Sequence, residues 1–159
     1  MKKHIIDLRI TFVDRLHPRY VLIKGTPADG SRLPEMLPGQ FAQLKVEGSP
    51  ETYLRRPISI HDVTSDTVTS TNKGEEVSFL IALAGKGTRQ LATLKVGDTL
   101  NCIIPLGRGF SMPTTDAPRI LLCGGGVGIA PLLLMGRRMK EAGFEPTFLL
   151  GGRSAGDIL

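Results

Sequence analysis

Tryptophan is absent from these 159 residues, and the aromatic complement is only two tyrosines and six phenylalanines. So few rings leave little for nucleic-acid bases to stack on. The net charge of +5 comes from basic residues spread along the chain without a large cluster, which speaks for a solvated basic surface and against nucleic-acid binding. Long apolar runs are missing too: none approaches the ~20 residues that span a bilayer. Met1-Lys2-Lys3, followed by His4-Ile5-Ile6-Asp7, is too short and too polar for a signal-peptide core. No membrane association is expected, and the cytoplasm is the expected location. With two cysteines, Cys102 and Cys123, the chain is short of the four that normally ligate an iron–sulfur cluster. Both sit in apolar strand-like runs, so free buried thiols are expected rather than a disulfide. His4, His17 and His61 lack metal-ligand spacing.

What remains is globular, with 41% apolar and 22% charged residues. Nineteen glycines and eleven prolines favour turns and short strands over a helix bundle. Apolar alternation predicts strands over 5–13 and 20–24, parted by a turn at 14–18 (Asp14-Arg15-Leu16-His17-Pro18). A proline-containing loop at 34–39 precedes a strand at 40–46, and a further strand is predicted over 57–63. The clearest one, 76–84, sets Val77, Phe79, Ile81 and Leu83 on one face, and a short helical turn at 88–94 follows. After the turn at Val96-Gly97-Asp98 comes an apolar strand over 100–104, closed by Pro105. Six short strands with one helical turn predict a six-stranded closed antiparallel barrel.

The pattern changes after Met112. Pro113-Thr114-Thr115-Asp116-Ala117-Pro118 reads as a linker, and a strand (119–123), a helix (130–142) and a strand (147–150) follow it. This is the β-α-β unit of a parallel sheet. Pro131 stands in the helix's first turn and Gly143 at its C-terminal stop. The expected organisation is a barrel domain at 1–112, a linker at 113–118 and the start of an α/β nucleotide-binding domain at 119–159.

Three segments carry chemistry suited to phosphate. Leu54-Arg55-Arg56-Pro57-Ile58-Ser59 puts two guanidiniums at a strand mouth, where their forks can make paired charged hydrogen bonds; a loop with exposed charges is the plainer alternative. Gly85-Lys86-Gly87-Thr88 offers two glycines and a hydroxyl N-cap at a helix start, or simply a capped tight turn. In Gly124-Gly125-Gly126-Val127-Gly128, the strand–loop–helix setting suits a nucleotide. The standard G-x-G-x-x-G loop is not met, since Ile129 and Pro131 stand where a further glycine would be needed.

Taken in order, R-P-I-S, G-K-G-T, P-L-G-R-G-F and G-G-G-V-G-I-A-P resemble the ferredoxin–NADP reductase superfamily across the whole chain. Within it the chain is most similar to the electron-transfer subunits of NAD-linked dihydroorotate dehydrogenases. The resemblance implies a barrel that binds FAD and an α/β domain that binds NAD. It also implies a hetero-oligomer with an FMN-containing catalytic subunit, whose electrons from dihydroorotate oxidation reach NAD through a 2Fe-2S cluster and this FAD, in pyrimidine biosynthesis. Carried over, Arg56 and Pro57 belong to the flavin strand, and Arg56 pairs with the FAD pyrophosphate or flavin edge. Ser59 lies near the reactive flavin nitrogen, and Ile58 replaces a flavin-stacking tyrosine. Leu80, Ile81 and Ala82 supply backbone contacts, Gly87 and Thr88 hold phosphate, and Gly124, Gly125, Gly126, Val127 and Gly128 face the nicotinamide nucleotide. No catalytic acid or base is implied, because a flavin carries the redox chemistry itself. The cluster cysteines of the family lie beyond the motifs present. The chain is therefore expected to be part of a longer protein and not to turn over alone. The alternatives are a subunit of another NAD(P)H:acceptor system, of hydrogenase or sulfide dehydrogenase type, and a non-catalytic docking module.

Overall fold

The computed structural model describes residues 2–64, 75–114, 119–154 and 157. Seven strands form one antiparallel sheet: β1 (His4–His17), β2 (Tyr20–Pro27), β3 (Phe41–Leu44), β4 (Arg56–Ser59), β5 (Asp62–Thr64), β6 (Glu76–Ala82) and β7 (Thr99–Leu106), in the order β4-β3-β7-β1-β2-β6-β5. One face of each strand points inward. Leu8, Ile10, Val21, Ile23, Ala42, Leu44, Val77, Phe79, Ile81, Leu100, Cys102 and Ile104 make a continuous core, and Leu83 packs on its margin. The helix α1 (Lys86–Leu91) closes one end through Leu91.

Three expectations are corrected in detail. The turn expected at 14–18 is strand: β1 continues to His17, which pairs with Tyr20, and the chain reverses at Pro18 and Arg19. Past Arg9, β1 is an outer strand paired with β2 alone, so its polar side chains are solvated and leave no apolar signature, whereas Pro18 lacks the N–H that further pairing would use. Pro105 does not end its strand, for β7 runs on to Leu106 through a cis Ile104–Pro105 peptide. The single strand expected over 57–63 is two, which raises the count from six to seven. The division falls at a corner where Ile60, fully buried, donates its N–H to Gln40 O (3.0 Å) and His61 donates its own to Ser78 O (2.9 Å). Those two residues carry the chain from the β3 edge of the sheet to the β6 edge. The curled sheet thus closes through the polypeptide itself, a corner made by a bend.

Beyond the barrel, β8 (Leu121–Gly125) and β9 (Thr147–Gly151) pair in parallel, joined by a 3-10 turn (Gly126–Ile129) and α2 (Leu132–Glu141). The helix stops at Gly143, whose φ of +87° is a conformation that glycine adopts freely. Of the expected linker, Pro113 and Thr114 are irregular and 115–118 lie outside the described residues. One face of α2 packs on the small sheet. The other reaches the barrel, where Leu134 joins the barrel core and Ala130 packs with Tyr20 and Leu80. The far face of the small sheet is bare: Leu121 and Leu149 are exposed, and so is Cys123, contrary to the expectation of two buried thiols. A strand's apolar run does not tell which of its faces will be covered.

Candidate functional site

Register settles which arginine does what. Arg56 and Ile58 pair with Leu44 and Ala42 and share their inward face, while Pro57 and Ser59 stand opposite Gln43 and Phe41 on the other. Ile58 is half-buried against the margin of the barrel core. Arg55, one residue earlier, turns the other way. Its Nη1 donates to Gln43 O (3.2 Å) and Asn101 O (3.1 Å), and its Nη2 donates to Asn101 Oδ1. Arg55 therefore ties the loop before β4 to β3 and β7, and its charge is used inside the barrel wall.

Arg56 instead crosses to the start of α1. A Cβ added at Gly87 would lie 2.5 Å from Arg56 Nε and 3.1 Å from Thr52 Cγ2, so a side chain there would push Arg56 aside. Among the described residues, no hydrogen bond or ion pair of the Arg56 guanidinium is recorded, and the buried Thr52 Oγ1 has no partner. Thr88 is not the N-cap that its position suggested: the cap is Gly85, and Thr88 sits in the third helical position. From there its hydroxyl accepts the Gly85 N–H (3.1 Å) and donates to Gly85 O (3.0 Å), which holds the turn shut. The structure thus brings together Arg56, Gly87 and Thr88, two motifs some thirty residues apart in sequence, and leaves an uncommitted guanidinium and an unpaired hydroxyl between them.

Beside this cradle runs an edge of β6. β5 pairs only with Glu76–Ser78, so from Phe79 to Ala82 the edge away from β2 has no strand partner among the described residues. The Leu80 and Ile81 side chains are structural, Leu80 packed with Tyr20 and Ala130, and Ile81 in the barrel core. What these residues can offer a ligand is backbone, as is true of Ala82 at the strand's end.

An open cleft of about 660 Å³ separates that end of the barrel from the C-terminal ends of the parallel strands. Ala82, Gly125, Gly126 and Val127 line it together with Arg19, Tyr20, Gly151, Gly152, Arg153 and Asp157. Ligands of open α/β sheets sit at this end of the strands. Gly126 has φ of +52°, and a Cβ on it would approach Tyr20 Oη at 3.4 Å. Gly124 and Gly128, expected with them, are placed otherwise. Gly124 faces α2, where a Cβ would meet Leu132 Cδ1 at 2.7 Å, and Gly128 lies outside the lining with nothing within 4 Å of its Cβ position. Arg56, Pro57, Ile58, Ser59, Gly87 and Thr88 do not line the cleft either, so the candidate residues form two adjoining places, a phosphate-suited corner and a wider cleft. Sequence reasoning missed Arg19, Tyr20 and Asp157. Arg19 pairs with Asp157 across the cleft, and Ser154 Oγ donates to the same carboxylate at 3.0 Å. Burial pushes the Asp157 carboxyl up, but the hydrogen bonds from Arg19 and Ser154 and the charges of Arg19 and His17 outweigh it and hold it below its usual value. A contact between residues this far apart leaves no local signal.

No family model matches the chain. Curated relatives do. An electron transfer subunit of dihydroorotate dehydrogenase B (NAD(+)) from Shouchella clausii is 39% identical over 124 residues, 76% of this chain and 44% of the relative. The corresponding subunit of Listeria monocytogenes is 40% identical over 125 residues, 77% of this chain and 45% of the relative. The chain belongs to this family of electron transfer subunits. A third member, from Desulforamulus reducens, matches at 33% identity over 98% of the chain and 55% of its own length. The chain thus spans about half the length of the curated relatives it matches. Among solved structures, the flavohem-like FAD/NAD binding domain of a Vibrio cholerae nitric oxide dioxygenase superposes with a TM-score of 0.76 at 21% identity, covering 96% of this chain and 64% of that one. Phthalate dioxygenase reductase gives 0.71 at 20% identity, covering 96% of this chain and 45% of that one. These two show the fold, a curled antiparallel sheet followed by a parallel one.

Proposed function

We propose that this chain is the flavin-binding portion of a cytoplasmic electron-transfer subunit. In this reading the subunit works with an FMN-containing dihydroorotate-oxidising partner and delivers electrons to NAD in pyrimidine biosynthesis. The observation that carries the reading is the meeting of Arg56, Gly87 and Thr52. A guanidinium and a buried hydroxyl without a partner among the described residues converge with a position that a Cβ would fill, and this set suits an anionic phosphate. The likeness in fold to an FAD/NAD binding domain, that of the nitric oxide dioxygenase, and the motifs shared with FAD-binding reductases support FAD as that ligand.

The proposed division of labour follows the geometry. Residues 1–112 are the flavin domain, 113–118 the linker and 119–159 part of a nucleotide domain. Arg56 and the Gly87 backbone hold the pyrophosphate, and Thr88 keeps the turn beneath it closed. Pro57, Ile58 and Ser59 present β4 to the ring, and the free edge at Leu80, Ile81 and Ala82 offers backbone groups. Gly125, Gly126 and Val127 allow the nicotinamide nucleotide close approach at the cleft floor, while Gly124 serves the packing of α2 and Gly128 is spectator. FAD, when bound, supplies exchange between one-electron carriers and the two-electron nicotinamide; the protein binds, orients and tunes. The family's 2Fe-2S cluster would be held outside these residues.

The test is direct. The purified chain is titrated with FAD, followed by absorbance, and then mixed with the catalytic subunit of the same organism. Saturable flavin binding and co-purification with a dihydroorotate-oxidising FMN protein are expected. Binding of flavin without that partner would move the assignment to another NAD(P)H:acceptor system, and no flavin binding would leave only a docking module.

A further inference from the structure

The corner at Ile60-His61-Asp62 has a second set of contacts, to the nucleotide-side unit. The His61 carbonyl accepts the Leu134 N–H (3.2 Å), and His61 Nδ1 lies 2.7 Å from Ala130 O. A carbonyl can only accept, so Nδ1 carries the hydrogen. Next along the chain, Asp62 Oδ2 pairs with Arg137 Nη1 at 2.5 Å. Leu134, between these anchors, is buried in the barrel core. On the barrel side, the same corner is pinned by the bonds from Ile60 to Gln40 and from His61 to Ser78. Ser59, the last residue of the proposed flavin strand, therefore stands two residues from the group that grips the turn before α2.

We propose that His61 and Asp62 are positioning residues that couple the flavin strand β4 to the nucleotide helix α2, so that ordering β4 by a bound flavin steadies α2 and the glycine turn that precedes it. The proposal rests on the reading of Arg56–Ser59 as the flavin strand. Its physical content is that β4 and α2 share one rigid joint. A ligand that suppresses opening of β4 suppresses opening of the joint, and the ring and carbonyl of His61 pass this on to Ala130 and Leu134.

Amide hydrogen exchange of the whole chain, with and without FAD, reads this directly. In the native protein FAD slows exchange over both 56–59 and 132–141, the latter by about fivefold or more, the lower range of measured couplings between sites. His61→Leu, which removes the ring donor, keeps the slowing over 56–59 and loses it over 132–141. His61→Asn, whose amide can donate from nearly the same place, restores it. Arg137→Lys, which keeps the ion pair, behaves as native and guards against a general loss of folding. Slowing over 56–59 with no change over 132–141 in the native chain would overturn the coupling while leaving the flavin reading intact. So would a His61→Leu protein in which FAD still slows 132–141 by the native factor, however loose α2 has become, for the corner would then be ordinary packing. No slowing anywhere would overturn the flavin reading and the coupling together.

Discussion

Two neighbouring arginines of the same chemistry have opposite employment here, and strand parity is the cause. Arg55 spends its donors on Gln43 and Asn101, while Arg56 reaches Gly87 with its guanidinium uncommitted among the described residues. Arg56→Ala is expected to weaken FAD binding by about 1.5–3 kcal/mol, the usual worth of a charged hydrogen bond, and to leave the melting temperature near native. Arg55→Ala is expected to do the reverse, lowering the melting temperature and sparing flavin affinity in the protein that remains folded. Flavin titration and thermal unfolding of both variants check this, and equal losses of affinity would remove Arg56 from the cradle. The two cysteines divide in the same way. Burial pushes the Cys102 thiol up to about 12, and its Sγ faces the Ile6 carbonyl at 3.5 Å, while Cys123 is exposed. At about pH 8 a disulfide reagent should titrate one thiol in the native protein and two after denaturation, since the thiolate is the reactive form. Two fast thiols in the native state would show that the barrel opens at β7.

Helix α2 carries a glycine where helix propensity argues against it. Ala in a helix interior is favoured over Gly by about 1 kcal/mol, yet a Cβ at Gly136 would lie 2.3 Å from Phe148 Cζ, inside any contact distance. Gly136→Ala is therefore expected to destabilise by about 1–3 kcal/mol, as overpacking does, and pairing it with Phe148→Leu should recover most of the loss. Gly128→Ala, with nothing near its Cβ position, is the neutral control. Denaturant unfolding of the three variants decides it; a Gly136→Ala protein at or above native stability would mean that α2 stands off β9. Elements of this kind also mark how far the sequence could be read. The alternation of Val77, Phe79 and Ile81 announced β6 because one face of it is core, and Gly143 announced the end of α2 because the helix must stop in a left-handed turn. The corner at Ile60 and His61 was hidden, since Ile58-Ser59-Ile60-His61-Asp62 alternates without a break and only the two partners, Gln40 and Ser78, show the bend. In the site, Arg56 and Gly87 were legible as separate phosphate motifs. Arg19, Tyr20 and Asp157 were not, because their roles come from a hairpin tip and a distant residue meeting across a cleft.

As a whole the molecule is unevenly supported, and its stability should follow. Strands β3, β7, β1, β2 and β6 are each paired on both sides and enclose one apolar core. The parallel pair β8–β9 has α2 on one face only; Leu121 and Leu149 on the other are 57% and 61% exposed. Parallel sheets ordinarily have both faces covered. The unit is held to the barrel by a few named contacts: Leu134 in the core, Ala130 against Tyr20 and Leu80, His61, the Asp62–Arg137 pair and the Arg19–Asp157 pair. In hydrogen exchange on the chain without ligand, amides of β1, β2 and β7 should therefore exchange only through global unfolding, and those of β8 and β9 through a local opening that costs less. A dye that reports exposed apolar surface should bind the native chain, and Leu149→Lys should abolish that binding without shifting the main unfolding transition, because Leu149 supports nothing in the barrel core. If β9 amides proved as slow as those of β2, the bare face would have to be covered in solution, and sedimentation of the native protein against Leu149→Lys would show whether a second copy covers it.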